Sequence, residues 1–246
     1  MSGVEERLER VRQRIARAAT RGGRDPASVT LIGATKSVDV DRVRGAVRAG
    51  LGDVGENRVQ EALPKIATVG AGPRWHLIGH LQRNKARQAV GAFALIHSVD
   101  TAALAQALDR AARQTGRRVP VLIEVNVGGE ATKFGVAPGA AEDLLSVIGA
   151  CEWVQPVGLM TVAPPAHDPQ AVRPLFRALR ELRDRLRGRA GETFRELSMG
   201  MSDDFEVAVE EGATMVRIGR AIFGERVTTA TGEATSRGEG PLGGVR

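Results

Sequence analysis

Apolar residues recur along this chain in two alternating rhythms. Short apolar runs at 29–35, 53–55, 75–79, 94–99, 119–127, 154–162, 194–199 and 214–218 read as buried strands. Between them, segments 39–49, 58–67, 81–90, 101–114, 139–150, 170–187 and 203–211 carry the helical period, and a short helical turn follows residue 219. A further helix opens the chain. Ser2 and Glu5 make a capping-box pattern there, and Val4, Leu8, Val11 and Ile15 form one apolar stripe. Segment 170–187 shows the helical rhythm best: Leu175, Leu179, Leu182 and Leu186 share one face, and the arginines on the other read as a solvated surface. Eight strand signals alternating with helices predict the α/β class, as a single closed (β/α)8 TIM barrel with an extra N-terminal helix. A doubly wound open sheet is the alternative. The barrel is expected over residues 1–227. Segment 228–246, rich in Thr, Gly and Ser and without periodicity, reads as a disordered tail.

Composition narrows the classes of function. A chain of 246 residues that is 42% hydrophobic suits one barrel of this kind. Its single cysteine, Cys151, excludes an internal disulfide and reads as a buried, inert thiol. No apolar run is long enough to cross a membrane, and the charged start Met1-Ser2-Gly3-Val4-Glu5-Glu6-Arg7 is not that of a signal peptide, so a cytoplasmic protein is expected. The net charge of +6 raises nucleic-acid binding as a possibility. The arginines, however, are dispersed and interleaved with acids. With no tyrosine, two tryptophans and six phenylalanines, a base-stacking platform is not expected.

The candidate chemistry starts at Lys36. Of 35 basic side chains only four are lysine, at 36, 65, 85 and 133, and Lys36 closes the first strand run. An amine at the carboxyl end of a barrel strand lies where barrels carry out chemistry. Unlike arginine, it can lose its proton and form a Schiff base. Other strand ends bring Glu56-Asn57, Gly79-His80, Ser98, Asn126 and Met160-Thr161 to the same face. The loop Ser198-Met199-Gly200-Met201-Ser202 follows the seventh strand run, and Arg217-Ile218-Gly219-Arg220 closes the eighth. Loops at those two positions commonly hold phosphate in barrels, so Ser198, Ser202 and the backbone at Gly200, Gly219 and Arg220 form a candidate phosphate cradle. An amine and a phosphate site on one face suit either a class I aldolase or a protein of pyridoxal 5'-phosphate (PLP). Arg217 would face the pyridine nitrogen of PLP as a permanent donor and leave it unprotonated, making the cofactor a poor electron sink. His76 reads as a satisfied core histidine, His97 lies within a strand and His167 in a Pro-rich loop. No Cys/His cluster has metal-ligand spacing.

These residues resemble the PLP homeostasis protein family. The resemblance rests on Ala34-Thr35-Lys36, Gly55-Glu56-Asn57-Arg58-Val59-Gln60-Glu61, Trp75 through Lys85, Lys133-Phe134-Gly135, Gly158-Leu159-Met160, Leu197 through Asp204, and Met215 through Gly224, in order from about residue 29 to 226. It implies a barrel like the N-terminal domain of alanine racemase, without the racemase's second domain. It also implies PLP carried on Lys36, with Asn57, Ser198, Gly200, Met201, Ser202, Arg217, Gly219 and Arg220 binding the cofactor. Some relatives carry Pro where His80 stands. The implied role is a monomeric carrier that buffers PLP and serves apo PLP-dependent enzymes, with no catalysis of its own. Alanine racemases use a tyrosine as second base, and this chain has none. A PLP-dependent racemase-like enzyme is the alternative.

Overall fold

The computed structural model describes residues 3–224. Ser2 of the expected capping box and the expected tail 228–246 lie outside the described residues. The strands are β1 (Thr30–Ala34), β2 (Asp53–Glu56), β3 (Arg74–Leu77), β4 (Leu95–Val99), β5 (Val119–Glu124), β6 (Val154–Met160), β7 (Glu196–Ser198) and β8 (Met215–Ile218). The helices are α1 (Gly3–Arg21), α2 (Val40–Arg48), α3 (Val59–Val69), α4 (Ala86–Ala92), α5 (Ala102–Thr115), α6 (Ala141–Gly149), α7 (Arg173–Ala190), α8 (Phe205–Glu210) and α9 (Arg220–Phe223). All eight strands are parallel and pair in sequence order, and β1 pairs with β8, with Ile32 opposite Arg217 and Gly33 opposite Ile218. That pairing closes the barrel and excludes the open sheet.

The apolar residues sort into two layers. Outward-facing strand residues such as Val54, Ile96, Val121, Ile123 and Val216 are fully buried under the helices. A small second cluster, Leu95, Leu122 and Met160 with Met215 against it, is separate from that core. By strand alternation it fills the barrel interior. On α7 the buried stripe is Phe176, Leu179, Leu182 and Leu186, whereas Leu175, expected on the stripe, is only partly buried. Helix α1 packs on α8 and α9 through Leu8, Val11 and Ile15, while Val4 is only partly buried.

Three expectations need correction. Strand β5 ends at Glu124 rather than 127, because the chain folds back: Val136 N donates to the Glu124 carbonyl (2.9 Å) and Asn126 N to that of Val136 (2.9 Å). Helix α4 starts at Ala86, after a 3-10 turn at Arg83–Lys85, because the chain first crosses the β2 loop at Gly79. A Cβ on Gly79 would lie 2.5 Å from the Asn57 carbonyl oxygen, so only glycine allows that crossing. Cys151 is half-buried rather than buried. Burial, then Asp109, pushes its thiol above the ordinary range, which agrees with an inert group.

Candidate functional site

A cavity of about 960 Å³ opens at the carboxyl ends of the strands. It collects Lys36, Asn57, Met201, Ser202, Arg217, Gly219 and Arg220 of the sequence candidates, together with His80, Glu124, Asn126, Lys133 and Phe134.

Lys36 stands on a turn built to hold it. Val38 N donates to the Thr35 carbonyl (3.0 Å), and Ser37 takes a left-handed φ of 59°, as the third residue of a type II turn requires. Beneath the turn lies a buried ion pair. Glu56 is fully buried and accepts from Lys65 Nζ (2.7 Å) and from Thr35 Oγ1 (2.6 Å). Lys65 Nζ also donates to the Thr35 carbonyl (2.7 Å). The peptide leading into Lys36 is therefore clamped from α3. This accounts for the Ala34-Thr35-Lys36 and Gly55-Glu56-Asn57 patterns together, a link that sequence reading missed.

Arg217 forms the floor. It is 4% exposed, and its Nη1 donates to Ser198 Oγ (2.5 Å) and its Nη2 to the Thr161 carbonyl (2.7 Å). Burial lowers its affinity for its proton, against the pull of Glu124 and Asp204, to a pKa of about 10, so it remains a cation at neutral pH. Ser198 is fully buried and does not line the cavity; it holds Arg217 from below. Gly200 does not line it either. Gly200 has φ 94°, and a Cβ there would sit 2.6 Å from the Ala208 Cβ, so this glycine lets α8 approach the strand end. Its carbonyl accepts from Arg217 N (3.0 Å).

The two loops at the rim are tied to each other. Asp204 Oδ1 accepts from Met201 N (2.6 Å), Ser202 Oγ accepts from Ala221 N (3.3 Å), and Arg220 pairs with Asp203. A Cβ on Gly219 would lie 3.1 Å from the Ala34 carbonyl oxygen, so this glycine fits the β8 loop against the end of β1. On the far wall, Glu124 is 7% exposed and its Oε2 is buried without a hydrogen-bond partner. Burial, then Asp100, pushes its pKa up to about 7, against Arg217. His80, exposed, stacks on Phe134 with ring centroids 3.9 Å apart at the mouth. Asn126 turns aside and donates to the Glu130 carbonyl (2.8 Å). Among the described residues no group of three or more metal-ligating side chains is assembled.

Below the floor, sequence reading missed a polar column. His97 Nδ1 meets Ser198 Oγ (2.9 Å), His97 Nε2 meets His76 Nδ1 (2.9 Å), and His76 Nε2 meets Asp53 Oδ1 (2.9 Å). His76 is thus a satisfied core histidine, as expected, and Asp53 and His97 are what satisfy it. Four strands contribute one member each. A polar residue at an inward position of each strand is the only signal that could have found them.

The donor set fits PLP: an amine for the aldehyde, a buried cation for the ring, and hydroxyl and backbone groups at the β7 and β8 loops for the phosphate. A closed barrel with these groups at its carboxyl-end mouth is the architecture of alanine racemase-type proteins. The model of the alanine racemase N-terminal domain family matches residues 7–227. The pyridoxal phosphate homeostasis protein of Aquifex aeolicus is 47% identical over 222 residues, covering 90% of this chain and 97% of the relative. The structure of PipY from Synechococcus elongatus with PLP bound is 38% identical, with a TM-score of 0.78, covering 90% of this chain and 100% of that one. An alanine racemase from Clostridium difficile shares only the fold, at 13% identity and a TM-score of 0.70, and the chain covers 57% of its length. The chain belongs to the alanine racemase N-terminal domain family and, within it, to the pyridoxal phosphate homeostasis proteins. Among the described residues no helix is long and apolar enough to cross a membrane.

Proposed function

We propose that this protein binds PLP on Lys36 and carries or buffers it, serving apo PLP-dependent enzymes and so maintaining the cell's PLP and amino-acid balance, without turning over amino acids itself. The observation that carries this reading is the single cavity that collects Lys36, Arg217 and the β7 and β8 rim loops. When bound, PLP supplies an aldehyde on which amines exchange and a ring that can withdraw electrons. Lys36 holds the aldehyde carbon. Ser202 and the backbone at Met201, Gly219 and Arg220 hold the phosphate, and Asn57 lies beside the lysine turn. Ser198 and Gly200 support the site from beneath, with Ser198 acting through Arg217. Arg217 donates to the ring nitrogen and, as a cation, gives it no proton, which weakens the electron sink and favours exchange of amines over breaking bonds at an amino acid's α-carbon. The chain's lack of tyrosine leaves no equivalent of the racemase second base. We further read the protein as a cytoplasmic monomer with no nucleic-acid partner.

The test is transfer against turnover. Holo-protein should activate an apo PLP-dependent enzyme, and it should exchange no α-proton of L-alanine in deuterated water above background. A robust turnover with any amino acid, abolished by Lys36→Ala, would replace this reading with the racemase-like one.

A further inference from the structure

The column beneath Arg217 runs through the barrel to its opposite end. At that end Asp53, the first residue of β2, accepts from Arg74 Nη2 (3.1 Å) and lies 2.8 Å from Arg74 Nε, and the Arg74 side chain is 67% exposed. The interior of such a barrel is ordinarily filled by branched apolar side chains. Here the inward positions of β2, β3, β4, β7 and β8 instead carry Asp53, His76, His97, Ser198 and Arg217, and each is buried. A polar column with every member satisfied specifies one arrangement, and an unpaired member is costly.

Donor accounting fixes the direction of this column. Arginine has no acceptor, so Ser198 Oγ must accept from Arg217. At the other end Asp53 is ionised. Burial pushes its carboxyl up, but hydrogen bonds from His76 and Arg74 outweigh that and hold it below the ordinary value. It can only accept. His97, wholly buried beside His76 and Arg217, is held neutral, its pKa falling well below the ordinary value chiefly through burial. With Asp53 able only to accept, one proton on each imidazole leaves a single sense for the bonds. The Ser198 hydroxyl donates to His97 Nδ1, His97 Nε2–H to His76 Nδ1, and His76 Nε2–H to Asp53. Both imidazoles then carry the proton on Nε2. The opposite sense requires an additional proton on His76, and it aims the His97 Nδ1–H at Ser198.

We propose that Asp53, His76 and His97 are positioning residues for Arg217. The carboxylate at the amino-terminal end of the barrel sets the direction of a through-barrel relay that keeps a Ser198 lone pair on Nη1, fixing the plane of the guanidinium beneath the cofactor ring. With Nη2 held by the Thr161 carbonyl, the two outer nitrogens are each anchored by one bond, and the remaining N–H donors serve the cavity. The charged groups facing this relay are Arg74 at the Asp53 end and Glu124 and Asp204 around Arg217. The role toward the ring rests on the PLP reading given above; the direction of the relay does not.

Two measurements separate them. The chain has four histidines, so nitrogen NMR of 15N-histidine-labelled, cofactor-free protein at pH 7.5 can resolve each ring. The expected result is neutral Nε2–H forms of His76 and His97. An Nδ1–H form of either, or a doubly protonated His76, overturns the relay. The second measurement is the absorbance of the lysine-bound cofactor against pH. His76→Leu removes the acceptor for His97 and should move the midpoint by roughly 0.5–1 pH unit, the effect of redirecting about one hydrogen bond. His76→Gln, whose amide can accept from His97 and donate to Asp53, should restore most of it. If His76→Leu does not fold, Asp53→Ala at the barrel rim is expected to produce the same shift. None of these residues lines the cavity. Wild-type midpoints in every variant would overturn the positioning role while leaving PLP binding intact. Failure of the wild type to take up PLP would sink the functional reading and the role toward the ring, but not the tautomer result.

Discussion

Two polar networks are built into this barrel, and their surroundings make them differ. One is the interior set: the column from Asp53 to Arg217 and the Lys65–Glu56 pair under the lysine turn. The other is the outer shell, where Arg14 meets Glu206 (3.0 Å) and Arg58 meets Glu61 (3.2 Å). The distances are similar in the two sets. Water screens the outer pairs and can replace either partner, so each is worth little. In the interior, removing one partner strands the other without water, and the cost is that of an uncompensated buried charge or dipole. The lesson is that the abundant arginines of this chain are mostly a surface property. Among the described residues, the few interior polar groups, with Arg217 as their one arginine, set the geometry of the site.

The largest effect expected from this contrast is at Lys65. Glu56 is fully buried and its Oε2 already lacks a partner, so Lys65→Met leaves a buried carboxylate without its cation, held by the Thr35 hydroxyl alone. Urea denaturation should show a loss of about 3–5 kcal/mol, together with weakened PLP binding, because the Thr35 carbonyl loses its clamp. A loss below about 1 kcal/mol would show that the interior pair behaves like a surface one.

A smaller effect of opposite sign is expected at Glu124. This carboxyl holds its proton more tightly folded, at about 7, than its ordinary value of 4.5. Its contribution to stability is therefore fully present below pH 4.5 and is lost as the pH rises through about 7. Glu124→Gln should stabilise the protein by about 1–3 kcal/mol at pH 8 and have almost no effect at pH 4. His97 works in the other direction. Its folded pKa is depressed, so its contribution is present above pH 6.5 and is lost as the pH falls towards the folded value. Thermal melts of Glu124→Gln and wild type across pH 4–8 check the sign directly; equal stabilities at pH 8 would mean that Glu124 is ionised without cost.

The smallest effect is expected at the surface. Arg58 pairs with Glu61 at 3.2 Å, with side-chain exposures of 75% and 42%. Arg58→Ala should change the unfolding free energy by no more than about 0.5 kcal/mol. A loss of 2 kcal/mol or more, on the order of a buried contact, would break the distinction between the two networks.

How much of this was legible in the sequence follows from the same contrast. Strand and helix periods report burial on one face, and burial organises the whole fold, so the eight strands and the barrel could be read directly. Lys36, Arg217 and the rim loops could be read because each sits at a strand end in a recognisable local pattern. Ser198 illustrates the limit. Its place after β7 suggested a phosphate ligand, but alternation turns it inward beneath Arg217, and one residue of register makes that difference. The column itself was not legible, because Asp53, His76 and His97 meet through the register of β2, β3 and β4, and they reach Ser198 only when the barrel closes. Lys65 was invisible for a related reason: its partner Glu56 is close in sequence, but the turn it clamps belongs to another strand.

The central claim is that Lys36, and no other amine, carries PLP. The most direct measurement is borohydride reduction of holo-protein followed by peptide mass mapping, run in parallel on Lys36→Ala. With four lysines in the chain, the assignment is unambiguous. The expected result is a visible absorption band that reduction abolishes, a single phosphopyridoxyl adduct on Lys36, and colourless Lys36→Ala protein without an adduct. A normal adduct on Lys85 or Lys133, or an unchanged band in Lys36→Ala, would contradict it.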